Sequence, residues 1–211
     1  MNATESRRTG ILRLRHLQEV TEAKGEEMAS ERGRFERLAD PAEAPKAFTG
    51  FNLFPTPPAL AERVVELADI SGRMTVLEPS AVTGNLIRAV LAAAPDARLT
   101  AVEIEWNLAF HLQGQFGTSD VRNEDFLKAN PGKFDRIVMN PPFQRGADVK
   151  HVRHAATMLA PGGRLVSIVA AGPWQRKQLG PIVSRWIDLP AGSFRSEGTN
   201  VAAAVVVIDA D

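Results

Sequence analysis

The chain has 211 residues, with Lys+Arg 25 against Asp+Glu 25 and a formal net charge of zero at pH 7. That balance excludes retention of nucleic acid by bulk charge alone; a hydrophobic fraction of 44% excludes wholesale disorder, and the absence of cysteine excludes disulfides, thiolate metal sites and a cysteine nucleophile. No apolar run approaches the roughly 18–20 residues of a membrane span, and the N-terminal MNATESRRTG lacks the apolar centre of a secretory signal, so no membrane partner and a soluble, cytoplasmic protein are expected.

Residues 1–47 are dense in charge, with nine basic and nine acidic side chains. Ile11, Leu14, Leu17 and Val20 recur at helical spacing, a second and weaker helix is expected from Glu26 to Leu38, and Asp40–Pro45 reads as a linker. This zone is an N-terminal charged helical arm, and residues 48–211 form the main domain. There Thr56-Pro57-Pro58 starts a helix, with Thr56 as a hydroxyl cap and Leu60, Val64, Leu67 and Ala68 on one face. Strand signals follow at Met74–Leu77, Leu99–Ile104, Phe134–Met139, Arg164–Ala170, Ile187–Leu189 and Val201–Ile208. Helix signals lie between them at Asn85–Ala93, Trp106–Phe116, Val149–Leu159 (closed by Pro161-Gly162-Gly163) and Trp174–Trp186. Such alternation predicts an α/β fold with a mostly parallel sheet, helices on both faces, and ligands at the carboxyl ends of the strands.

Four loops at those ends carry chemistry. Glu78-Pro-Ser-Ala-Val-Thr-Gly84 lets backbone approach a ligand beside a helix N-terminus, or is a plain structural turn. Glu103, before Ile104 and Glu105, suits a pair of ribose hydroxyls. Asp125 and Phe126 could hold an adenine amine and ring, although a helix cap explains Asp125 as well. The fourth is Asn140-Pro141-Pro142-Phe143, after a strand. Two prolines stiffen the turn, so the Asn140 side-chain oxygen and the Pro141 carbonyl can face one point and bind the two hydrogens of an amine. Phe143 offers a flat face for a base.

Those residues, in that order, resemble class I S-adenosylmethionine-dependent methyltransferases of the amino-methylating branch, over about residues 51–208. Leu53–Pro58, Leu77–Ala81 and Asn140–Phe143 are similar to adenine-N6 DNA methyltransferases, and the tail from Asp188 to Ile208 resembles small enzymes of phages and plasmids. The resemblance implies a Rossmann-like seven-stranded sheet with an antiparallel last strand. It implies S-adenosyl-L-methionine as cofactor, held by Phe54, Thr56, Pro57, Glu78, Ser80, Ala81, Gly84, Glu103, Ile104, Asp125 and Phe126, with Asn140, Pro141, Pro142 and Phe143 at the target amine. It also implies a nucleic-acid substrate, DNA before RNA, with a protein partner or the N-terminal arm supplying target recognition. In one respect the chain departs from the pattern: Val82 stands where the cofactor loop usually has glycine. If that position needs a positive φ, valine impairs the loop; at negative φ it is harmless.

The expected reaction is in-line transfer of the sulfonium methyl to a nitrogen oriented by Asn140 and Pro141, with no general base before attack. The other function classes kept open are a methyltransferase acting on an RNA base or a protein glutamine, and a catalytically silent cofactor-fold module. Lys150, Arg153 and Arg195 are expected substrate contacts. His151 and His154 have no third ligand in the sequence, so no metal site is expected. Trp174, with Arg176 and Lys177, reads as a helix-start aromatic packed into the core, or as a base-stacking site. Residues 48–140 carry 8 basic and 11 acidic side chains, and 141–211 carry 8 and 5. The acidic excess thus falls on the cofactor half and the basic excess on the target half.

Overall fold

The computed structural model describes residues 54–117 and 119–211; the helices and linker expected within residues 1–47 lie outside them. The described chain runs α1 (Pro58–Ala68), β1 (Thr75–Glu78), α2 (Asn85–Ala93), β2 (Arg98–Glu103), α3 (Trp106–Gln115), β3 (Asp120–Asn123), β4 (Phe134–Met139), α4 (Ala147–Ala156), β5 (Leu159–Ala170), α5 (Pro173–Leu179), β6 (Arg185–Asp188) and β7 (Ala203–Asp209). One seven-stranded sheet results, in the order β3-β2-β1-β4-β5-β7-β6. Strands β1 to β5 pair in parallel, and β7 is antiparallel to both of its neighbours. The expected Rossmann-like methyltransferase architecture is therefore present, including the reversed last strand.

Strand periodicity sends successive side chains to opposite faces, and the two cores follow from it. Val76, Val138, Val166 and Val205 enter one core with Leu60 and Val64 of α1 and Ile87 and Val90 of α2. Leu77, Ile137, Met139, Leu165 and Val206 enter the other, with Val149 and Val152 of α4 and Leu179 of α5. A sheet covered on both sides explains why Ile137–Met139 and Ala203–Ile208 are apolar and buried at every position.

Three expectations shift. Thr56 does not cap α1: the helix starts at Pro58, Pro57 occupies the cap position, and no side-chain capping bond forms. Leu159 belongs to β5 rather than to the preceding helix. It pairs with Phe134, and the Pro-Gly-Gly that follows is taken up by a register shift before Arg164 meets Arg136. The helix expected from Trp174 to Trp186 ends at Leu179. Pro181 lacks the donor a helix needs, so the chain makes a short 3-10 turn over Gly180–Ile182 and re-enters the sheet as edge strand β6.

Candidate active site

The parallel strands deliver their following loops to one edge of the sheet. Thr56, entering α1 from below that edge, is buried, and its carbonyl accepts from Asn85 Nδ2 at 2.7 Å. Arg88 then spans the β1–α2 loop: its Nη1 donates to the Thr83 carbonyl at 2.9 Å and to Asn85 Oδ1 at 2.8 Å. Gly84 closes the loop at φ 76, and a Cβ on it would meet Phe116 at 2.5 Å. Gly84 is thus required by the left-handed turn and by packing, and it does not itself line the cavity beside the loop.

That cavity, about 220 Å³ and partly open to solvent, is lined by Phe54, Thr56, Glu78, Ser80, Ala81, Val82, Thr83, Asn85, Leu86 and Asn140. Glu78 is 1% exposed. Its Oε1 accepts from the Ser80 amide at 3.4 Å, whereas Oε2 is buried with no partner. Burial, and then the charge of Glu103, raise the Glu78 carboxyl well above the ordinary glutamate range. A buried acceptor left unpaired costs on the order of 1–3 kcal/mol, and a cationic ligand in this cavity would remove that cost.

Val82 takes the conformation of a glycine. Its φ is 47, a left-handed value that costs L-residues roughly 1–2 kcal/mol and β-branched ones more. Its amide donates to Glu103 Oε2 at 2.8 Å, while Oε1 accepts from the Glu105 amide at 2.9 Å. Glu103 therefore fastens the cofactor loop to the end of β2. It is 3% exposed, and each oxygen keeps a second lone pair. The condition attached to Val82 in the sequence is met on its unfavourable side.

A second cavity, about 270 Å³, adjoins the first and shares Phe54, Val82 and Asn140 with it; Pro141, Pro142, Phe143 and Phe194 complete the wall. Asn140 Nδ2 donates to the Phe54 carbonyl and to Thr56 Oγ1, both at 3.1 Å. A carbonyl can only accept, so the amide nitrogen must face Phe54. Asn140 Oδ1 makes no hydrogen bond among the described residues. Phe143 and Phe194 meet edge to face, with centroids 6.2 Å apart at 83°.

The two cavities thus gather Phe54, Thr56, Glu78, Ser80, Ala81, Asn140, Pro141, Pro142 and Phe143. Outside them lie Pro57, Gly84, Glu103, Ile104, Asp125, Phe126, Lys150, Arg153 and Arg195. Asp125 pairs with Lys128 at 2.9 Å and accepts from the Leu127 amide at 3.1 Å, as a cap does. Phe126 is 3% exposed and packs against His151 and His154 at 5.8 and 4.9 Å, so no open ring face is presented. Both imidazoles bond backbone carbonyls, His151 that of Ala147 and His154 that of Ala129. Arg153 donates to the Gln178 carbonyl, and Lys150 and Arg195 are exposed.

Sequence reasoning missed Phe194 as a wall of the second cavity, although it lies within the tail from Asp188 to Ile208 that carried part of the resemblance. Asn123 escaped notice as well: its Nδ2 donates to the carbonyls of Glu103 and Ile104, both at 2.9 Å, and so joins the β2 and β3 loops. Trp174 is 48% exposed rather than packed into the core.

A sheet of this order with ligand loops at this edge is that of the S-adenosyl-L-methionine-dependent methyltransferases. The family model of the methyltransferase small domain matches residues 66–181, and the chain belongs to that family. S-adenosyl-L-methionine is its cofactor. Over 71 residues, 33% of this chain, it is 37% identical to the modification methylase CviBIII of Paramecium bursaria Chlorella virus NC1A, and covers 19% of that protein. TrmN from Thermus thermophilus superposes with a TM-score of 0.61 at 22% identity, over 79% of this chain and 52% of that one. The 16S rRNA N2 G1207 methyltransferase RsmC of T. thermophilus, solved with AdoMet and guanosine, gives 0.57 at 18%, over 78% and 45%. The chain spans about half the length of these solved structures, and at such identities the likeness is one of fold.

Proposed function

We propose that this protein methylates an exocyclic amino nitrogen, and that adenine N6 in DNA is its target. Asn140 carries the reading. Its amide hydrogens are taken by Phe54 and Thr56, which leaves Oδ1 as the end available at the junction of the two cavities. Bound cofactor supplies a methyl group on a sulfonium, an electrophile that needs no activation by protein. Glu78, Ser80 and Ala81 would hold its cationic end, while Glu103, Ile104 and Asp125 would hold the adenosine, with Phe126 buried beneath them. In the second cavity the base rests against Phe143, having been turned out of a duplex to reach it.

Asn140 Oδ1 and the Pro141 carbonyl accept the two amine hydrogens, so the nitrogen lone pair is directed at the methyl carbon. As the N–C bond forms and the S–C bond breaks, both acceptors stabilise the charge growing on nitrogen. The nitrogen then loses a proton to water. Residues 1–47 act as a separate charged arm in target recognition.

Two results are expected. Thr56→Val keeps the shape but removes the acceptor for Asn140; kcat falls about 10²-fold with little change in cofactor affinity, because misorientation acts on the rate. Kinetics alongside cofactor titration check this. Cofactor affinity also rises with pH through the raised Glu78 value and levels off above it, since a cation binds the ionised carboxylate and binding releases its proton. Glu78→Gln removes that dependence, as calorimetry across a pH series would show. Labelled-methyl transfer to DNA, RNA and a glutamine-bearing protein tests the substrate: label entering DNA supports the reading, and label entering only RNA or protein overturns it.

A further inference from the structure

The 3-10 turn Gln144–Gly146 leaves the target loop and leads into α4. Gly146 sits at φ 70 beneath an indole: a Cβ there would lie 2.4 Å from Trp174 Cη2 and 2.7 Å from Cζ3. Gly146 follows Phe143 by three residues, so this ring lies within about 11 Å of chain from the target cavity. Buried Asp148 fixes the arrangement, because its Oδ2 accepts from the Ala170 amide at 3.1 Å and Gln175 Nε2 at 3.2 Å. These bonds tie the first turn of α4 to the segment that carries Trp174.

Trp174 is held in place yet 48% exposed, which leaves a planar apolar face for something to cover. The charges around it say what. Arg145, adjacent to Gly146, is exposed, adopts φ 51, and makes no hydrogen bond or ion pair among the described residues. Lys177 is exposed one helical turn after Trp174, on the same face of α5, and has no ion pair among the described residues either. Arg176 is engaged elsewhere, paired with Asp188 and stacked on Trp186 at 4.6 Å. Two unpaired cations therefore flank an open aromatic face beside the target cavity. A polyanion carrying planar bases fits that surface; an acidic peptide would leave the ring unstacked.

We propose that Trp174, Arg145 and Lys177 form a DNA-docking face, with a base next to the flipped target stacked on Trp174 and phosphates held by Arg145 and Lys177. It rests on the reading of the target as DNA. The test is fluorescence anisotropy of the full chain with a dye-labelled DNA duplex and its single strand over a salt series, with cofactor affinity and thermal stability measured in parallel. Trp174→Ala is expected to weaken binding about tenfold or more, with Trp174→Phe restoring most of it. Arg145→Ala is expected to weaken binding and to lower the slope of log affinity against log salt by about 1, with Arg145→Lys restoring the slope. Cofactor affinity and thermal stability stay at wild-type values. Wild-type protein that binds DNA while Trp174→Ala and Arg145→Ala bind it equally well overturns the docking face alone. Wild-type protein that neither binds nor methylates DNA overturns the face together with the reading beneath it.

Discussion

Asn140→Ala is expected to lower methyl transfer by about 10³-fold while cofactor binding stays nearly unchanged. The size of the effect follows from two contributions lost together. One is the acceptor that stabilises charge on the reacting nitrogen; the other is the orientation of the amine toward the methyl carbon. Asn140→Asp separates orientation from mere presence of an oxygen. It sets an acceptor against the Phe54 carbonyl, to which the amide donates at 3.1 Å, while the Thr56 hydroxyl, also at 3.1 Å, can turn to donate to it. Asp at this position is therefore expected to be slower than Asn by about tenfold, between Asn and Ala. Single-turnover rates with cofactor titration check both variants, and an Asp variant as fast as the wild type would contradict the assigned orientation.

Val82 should respond in the opposite sense. Its side chain walls both cavities while its backbone sits at φ 47. Its isopropyl group stands at the wall that the two cavities share. A ligand that spans both cavities passes this group, and repacking around such methyls costs about 1–3 kcal/mol. Val82→Gly is accordingly expected to tighten the cofactor dissociation constant about tenfold. Stability supplies an independent reading. Val82→Ala gives up the buried methyls and keeps the unfavourable φ, whereas glycine adopts that φ freely. The Gly variant should therefore be more stable than the Ala variant by about 1 kcal/mol, the reverse of their order in a helix. Calorimetric titration and denaturant melts measure the two effects.

Legibility from sequence tracks how far apart the cooperating residues lie. α2 and β4 were readable to their ends, because a repeating apolar face and the apolar run Ile137–Met139 between Gly132 and Pro141 are local patterns. β3 was seen only as a short element, and β6 was read as a strand from Ile187 with Arg185 and Trp186 given to the preceding helix; both are four-residue edge strands with little or no fully buried surface. Their identity comes from pairing, with β2 and β7 respectively, that no local pattern encodes. The Asn-Pro-Pro-Phe string was legible as a rigid pair of acceptors. The use of Thr56 was not, since its hydroxyl looks like a helix cap until a partner 84 residues away claims it. Phe194 escaped for the same reason, reaching Phe143 only across the fold. At Val82 the sequence posed the question of backbone sign, and only the folded loop, pinned by Glu103, answers it.

The central claim is that the cavity at Asn140 presents an exocyclic amine to the cofactor. Nucleoside analysis of DNA methylated by the wild-type protein and by Asn140→Ala tests it most directly. N6-methyladenine is predicted from the wild type and essentially none from the variant. A methyl group found on oxygen or carbon, or an Asn140→Ala variant that methylates at the wild-type rate, would contradict the account.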